Sequence, residues 1–214
     1  MKHFSLVINI LKLIGFVALT GCATKPYDYT NFNAHPPRSI LVLPPLNEGT
    51  DMKGTYGYLS TVTRPIAEMG YYVFPVAVID QYLKQNGMAN PGEMHQVSPK
   101  KIREIIGADA VLYITLKQYG AKFVVVNSVT TVSADAKLVD TRTGTLLWEK
   151  TLYADSSQNN NNSGGLVGLL VAAVVTQVVS DVSDQAHDIS RMANIGFADT
   201  NNGLLYGPYS PKHK

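Results

Sequence analysis

Between Ala110 and Tyr153 three β-type runs follow one another with only short turns between them, and no other feature restricts the fold as much. Val111–Gln118 is the first run, closed by a tight connection at Tyr119-Gly120-Ala121. Phe123–Val139 is long and rich in Val and Thr, and the turn Thr141-Arg142-Thr143-Gly144 leads into Leu146–Tyr153. Connections this short join antiparallel neighbours, because parallel strands need a crossover of about a dozen residues or more. The three runs therefore predict an antiparallel meander. Leu146 and Trp148 are expected on one face of the last strand and Leu147 and Glu149 on the other. The single tryptophan belongs to the core or the sheet face.

Upstream, strand and helix signals alternate. Ser39–Leu43 is a short apolar run stopped by Pro44-Pro45, which suits a buried strand. Thr55 to Met69 carries Leu59, Val62, Thr63, Ile66 and Met69 at helical spacing with Gly70 as a stop, although Pro65 is expected to kink or split this helix. Tyr71–Phe74 and Val76–Ile79 make a second β-type run, with Pro75 marking an edge or a bulge. Asp80 is positioned to cap a short helix ending at Gly87, and residues 88–97 are expected to be a loop. Ser98-Pro99 opens a further helix with Ile102, Ile105 and Ile106 on one face and Gly107 closing it. The fold class expected is a single α/β domain, β-α-β-α-β-β-β-α, with a mixed sheet and helices on one or both faces. Residues 39–195 form that domain and 196–214 an irregular tail rich in Gly, Asn and Pro.

The chain of 214 residues is 45% hydrophobic and 16% charged, long enough for one full-sized domain and too apolar for disorder. Lys plus Arg number 18 against 16 acids, and Lys2 and Lys12 lie in the first 21 residues, so the rest of the chain is formally neutral. Neutrality removes the electrostatic footprint of a nucleic-acid binder. A single cysteine excludes an intramolecular disulfide framework and any multi-thiolate zinc site.

That cysteine has a special place. Lys2 and His3 open a positive leader, Phe4 to Leu19 is apolar apart from Ser5, Asn9 and Lys12, and the run ends in Leu19-Thr20-Gly21-Cys22. The apolar run is shorter than the roughly 20 residues a spanning helix needs, so residues 1–21 read as an export signal. Aliphatic, small, Gly and Cys in this order resemble a bacterial lipobox. Small side chains admit the extended peptide to a peptidase cleft, and the Cys22 thiolate accepts a diacylglycerol. Each buried methylene contributes about 0.8 kcal/mol, and two acyl chains already anchor stably. Under the sorting rule for Gram-negative lipoproteins, Ala23 rather than Asp after the cysteine implies the outer membrane, facing the periplasm. Thr24 to Arg38, with Pro26, Pro36 and Pro37, is expected to be an extended tether in which His35 is solvated, so 22–38 serves as lipidated N-terminus and linker.

The uncharged stretch Leu166–Val179 is the other unusual segment. Gly164, Gly168, Ala172, Thr176 and Ser180 recur every four residues and would line one helix face with small side chains. A core helix packed on the sheet is the first reading and an oligomer interface along the stripe the second; insertion into a membrane would strand Gln177 in lipid. Asp155 to Gly165, with Asn159 to Asn162, is a solvated loop.

No chemistry-bearing motif stands out. The histidines His3, His35, His95, His187 and His213 do not pair at ligand spacing, and there is no H-E-x-x-H, G-x-S-x-G elbow or phosphate-binding glycine loop. His187 with Asp184 and Asp188 suits a charged helix face, and Asp109 and Asp140 flank strands where turn and capping roles are common. No catalytic, metal-ligating or cofactor-binding residue is therefore expected.

Four phrases carry a resemblance: Ser39-Ile-Leu-Val-Leu-Pro-Pro-Leu46, Gly70-Tyr-Tyr-Val-Phe-Pro75, Gly107-Ala-Asp-Ala-Val-Leu-Tyr113 and Leu138-Val-Asp-Thr-Arg-Thr-Gly-Thr-Leu-Leu-Trp148. In this order they resemble the bacterial lipoprotein family that includes a genome-derived neisserial surface antigen. The resemblance implies an α/β fold like the N-terminal domain of the Tol translocation protein. It also implies kinship with curli-secretion lipoproteins, beside whose relatives such proteins are often encoded, and it supplies no catalytic residues. The function expected is a non-enzymatic accessory or scaffold in envelope assembly or export, held by its lipid and engaging protein partners or a second copy. A binding module for a lipid or peptidoglycan fragment and a periplasmic hydrolase are the alternatives. If the small stripe packs closely, Gly168→Leu impairs folding or self-association, seen as a lowered melting temperature or a changed sedimentation coefficient; unchanged values count against it.

Overall fold

The computed structural model describes residues 26–124, 127–157 and 185–213, the side chains of 122–128 excepted. Cys22 and the stripe from Gly164 to Ser180 lie outside these residues. In chain order the elements are α1 (Thr30–Ala34), β1 (Ser39–Val42), β2 (Leu46–Asn47), α2 (Gly54–Glu68), β3 (Tyr72–Val73), α3 (Val76–Gln85), α4 (Pro91–Gln96) and α5 (Pro99–Ile106). Then come β4 (Ala110–Val124), β5 (Asn127–Asp140), β6 (Leu146–Asp155), α6 (Gln185–Asn194) and a 3₁₀ turn at Ile195–Ala198.

The strands form one mixed sheet in the order β3-β1-β4-β5-β6, with β2 pairing β4 beyond the Pro44-Pro45 break. β1 is parallel to both β3 and β4, while β4, β5 and β6 form the expected antiparallel meander. From β1 the chain crosses through α2 to β3, then returns through α3, α4 and α5 to β4 on the other side of β1. Right-handed crossovers in opposite directions put their helices on opposite faces. Accordingly Tyr58, Val62 and Ile66 of α2 join Ile189 and Ala193 of α6 over Leu112, Ile114, Ala134, Ala136 and Trp148. On the other face Ile79 and Leu83 of α3, Met94 of α4 and Ile102 of α5 cover Leu41, Leu43 and Val111. Along β5 the small residues Ala134 and Ala136 face inward, while Lys137 is exposed on the outer face and pairs with Glu149 at 3.8 Å.

Several local expectations are corrected. Val76–Ile79 is not strand: Pro75 caps α3, Ile79 and Leu83 point inward four residues apart, and Asp80 lies mid-helix, bound to Lys84 at 2.7 Å. The helical spacing of those apolar residues outweighs their β propensity. The loop expected at 88–97 contains α4, whose first turn is capped by Asn90 accepting from the Glu93 N–H at 3.1 Å. α5 starts at the Ser98 cap and ends at Gly107 in the left-handed region as expected, but Ile105 is exposed, so its buried face is narrower. Pro65 does not split α2; it lies in the last turn, where a missing N–H costs one hydrogen bond, and buried Val62 and Ile66 hold the helix together.

The strands differ in length and phase. β4 does not turn at 119–121 but runs on to Val124, absorbing an irregularity between Leu116 and Gln118. In β6, Val139 pairs with Leu146 whereas Leu138 pairs with Trp148, so Leu147 is a bulge. Leu147 and Trp148 are consequently both buried and Leu146 is exposed, which overturns the simple alternation.

Both ends of the described body are docked. Within the segment expected to be extended, α1 packs Phe32 at 3% exposure, Tyr27 accepts the Glu149 N–H at 2.9 Å, and Asn31 donates to the Leu146 carbonyl at 3.2 Å. The aromatic side chains gain more by burial than the prolines lose by restricting the backbone. The C-terminal strap is irregular as expected, yet the Gly207 N–H donates to Met69 at 2.9 Å and the Tyr209 N–H to Gly70 at 3.1 Å. Gly70 has φ +90° and an added Cβ at Gly207 would sit 2.3 Å from the Gly70 carbonyl oxygen. Gly207→Ala is therefore expected to lower stability by about 1–3 kcal/mol, the usual cost of overpacking, measurable by denaturant titration.

Candidate functional site

Open α/β sheets usually take ligands at the carboxyl ends of their strands, where strand order reverses. That point here lies between β1 and β4, and it is plugged. His95 of α4 donates from Nε2 to the Pro44 carbonyl at 2.9 Å, and its ring stands edge-on to Tyr113 at 5.3 Å. Burial pushes the His95 pKa below its ordinary value, partly opposed by the Pro44 hydrogen bond. Met94 beside it is fully buried.

Among the described residues, a concavity lies at the other end of the parallel strands. A groove of about 840 Å³ runs between Tyr29–Pro37, the Met69–Tyr71 turn and the strap 198–213. Pockets that take small ligands run from about 300 to 1,000 Å³. Tyr29 donates its hydroxyl to the Gly203 carbonyl and Tyr71 donates to Leu205, so both rings are fixed with their polar ends used. Burial raises the pKa of both hydroxyls, which stay neutral donors. Asp199 on the groove wall is committed to Lys150 at 2.8 Å. The rim carries Asn33, Lys212 and His213; Lys212 Nζ lies 5.4 Å from the centre of the Tyr206 ring. The walls are aromatic, aliphatic and proline, and the charge left at the mouth is cationic.

The residues singled out in the sequence fall elsewhere. Asp109 accepts from the Arg38 N–H at 3.1 Å, from Ser39 at 3.3 Å and from Arg103 at 3.2 Å. Asp140 accepts from Arg142 at 2.6 Å and from the Thr143 N–H at 2.8 Å. Burial alone would raise both carboxyls, but these donors hold them below the usual carboxylate range. They are turn and corner residues, as their positions beside strands imply. His187 meets Ser60 at 3.1 Å on the exposed side of α6 and α2. Ser60 donates its proton to the Gly57 carbonyl at 2.7 Å, so its oxygen accepts from His187 and is not activated by it. Thr61, Ser190 and Asn194 form a buried polar seam between the same helices. No group of three or more potential metal ligands occurs among the described residues. The groove itself was not foreseen: its walls come from segments assigned to tether and tail, and the clustered Tyr27, Tyr29 and Phe32 were the available signal.

The described residues form one mixed α/β body with a filled switch point, and no described helix is long and apolar enough to cross a membrane. The chain belongs to the family described as "Putative lipoprotein GNA1162-like", whose model matches residues 27–209. A Neisseria meningitidis serogroup B protein described as "Putative lipoprotein NMB1124/NMB1162" is 45% identical over 204 residues, covering 93% of this chain and 94% of its own. The crystal structure of lipoprotein GNA1162 from Neisseria meningitidis is 51% identical with a TM-score of 0.53, covering 66% of this chain and 97% of that one. The C-terminal domain of LpoB from Salmonella enterica is a weaker match, 18% identical with a TM-score of 0.41 over 55% of this chain and 83% of that one.

Because the folded His95 binds its proton less readily than the unfolded residue, its contribution to stability is complete above the unfolded value of about 6.5 and falls as pH drops below it. Melting temperature should decline between neutral pH and pH about 5, and His95→Gln should flatten that part of the profile.

Proposed function

We propose that this chain is an outer-membrane lipoprotein facing the periplasm, acylated at Cys22 and acting as a non-enzymatic accessory or scaffold in envelope assembly or export. Membership of a lipoprotein family supports the anchor, and the lipobox gives it an atom. The observation that carries the reading is the docking of Tyr27–Ala34 on the first half of β6: whatever holds the N-terminus also holds the folded body directly. Confinement to a surface raises effective concentration, so modest contacts suffice for protein partners there. The stripe at Gly164, Gly168, Ala172, Thr176 and Ser180 is the candidate contact for a second copy, and lipoproteins of the curli-secretion type are candidate partners.

The groove favours a second reading, a binding module for a lipid or a peptidoglycan fragment. A hydrolase draws no support from the Ser60–His187 pair, which is exposed and has its serine proton turned away. Cys22→Ser should leave unprocessed precursor and abolish incorporation of labelled palmitate; label persisting in that variant overturns the anchor.

A further inference from the structure

The anchor has a geometric consequence. If the exported chain begins at Cys22, only Cys22 to Lys25 precede Pro26. Four residues at full extension span at most about 14 Å. Tyr27 and Tyr29 follow at once, with their rings 4.7 Å apart, and Tyr29 is already part of the groove wall. An acylated Cys22 therefore cannot let this body stand off the membrane. One end of it has to lie at the bilayer surface, and the chain's own covalent length says which.

That end has the chemistry of a membrane interface. Tyr209 is 69% exposed, Pro208, Lys212 and His213 are exposed around it, and Arg38 is exposed near the start of β1. Of the nearby acids, Asp199 is paired with Lys150, and Asp28 accepts from Thr30 at 2.9 and 2.6 Å. Tyrosines with an apolar body and polar tip, and lysines with a long stem, settle at the headgroup level of bilayers. Anionic headgroups attract the cations. The opposite end of the body is well separated: Met52, 93% exposed, follows Asp51, which packs beside Gly120. Gly120 lies ten residues along β4 from Ala110, the position paired with Ile40 near the groove end, a distance of about 33 Å.

We propose that the groove end rests on the bilayer that holds Cys22, with an acyl chain of a phospholipid from that bilayer seated between Tyr29, Tyr71 and Tyr206 and its phosphate at Lys212. The proposal depends on the acylation of Cys22. The apolar walls match the chain, the tied-back tyrosine hydroxyls leave ring surface rather than polar tips toward it, and the cationic mouth matches the headgroup.

The acylated full-length mature chain, reconstituted into vesicles of phosphatidylethanolamine and phosphatidylglycerol, tests this. Once Cys22 is a thioether, an introduced cysteine is the one free thiol. An environment-sensitive fluorophore is attached through Tyr209→Cys, Asn33→Cys or Met52→Cys, each an exposed position, and nitroxide-bearing lipid acyl chains serve as quenchers. Quenching several-fold stronger at 209 and 33 than at 52 is expected. Equal quenching at the three positions overturns the proposal, and quenching at 209 without quenching at 33 overturns lipid entry into the groove. Flotation separates the two claims: a chain that fails to float with vesicles defeats the anchor and this proposal together, whereas one that floats with uniform quenching defeats this proposal alone.

Discussion

The packing of one backbone on another at Gly70 and Gly207 organises the part of the molecule where the segments at 27–37 and 198–213 meet. Gly207 donates to Met69 and Tyr209 donates to Gly70, and neither approach leaves room for a side chain at 207. Through this seam the strap brings Gly203 and Leu205 within reach of the Tyr29 and Tyr71 hydroxyls. Each such hydrogen bond contributes a net ~0.5–1.5 kcal/mol, too little alone to order an irregular strap of this length. Burial of Phe32 and Phe197, and of Leu204 in the strap itself, adds about 1.5–3 kcal/mol per side chain. The groove is thus the space left where two terminal segments close over one edge of the core, and it depends on both staying in place.

Two carboxylates do the corresponding work at the strand ends. Asp109 ties the entry of β1 to the corner before β4 by accepting from Arg38, Ser39 and Arg103. Asp140 closes the β5–β6 turn on Arg142 and Thr143, while Thr141 donates to the carbonyls of Ala108 and Asp109. The two turns are thereby one structure. The lowered pKa of these carboxyls reports structural hydrogen bonding rather than catalysis.

What could be read from the residues was set by local physics. The meander, β1, the capped α5 and the α/β class follow from period, turn residues and caps, each decided within a few neighbours. The misjudged pieces depend on tertiary contacts. Val76–Ile79 has β-branched residues yet buries Ile79 and Leu83 on one helical face. Trp148 and Leu147 are both inside because a bulge resets the phase of β6, and nothing in that short sequence announces the extra residue. The groove was illegible for the same reason. Tyr29 and Gly203 are separated by most of the chain, and proline-rich composition near the N-terminus suggested solvent where the structure has a docked helix.

The topology explains why the candidate site is at this end at all. In a sheet with order β3-β1-β4 the crevice at the strand carboxyl ends is the natural ligand site, but α4 fills it with Met94 and a neutral His95. Among the described residues the groove forms instead at the amino ends of β1 and β3, next to where the chain enters the fold. For a protein tied to a surface by its N-terminus, that is the end nearest the surface. The β4–β5 ribbon consequently points the other way, and any protein partner approaching from the compartment meets the ribbon and the Met52 loop first. Under the proposed anchoring at Cys22, lipid contact and partner contact would fall at opposite ends of the body, set by the direction in which one strand runs.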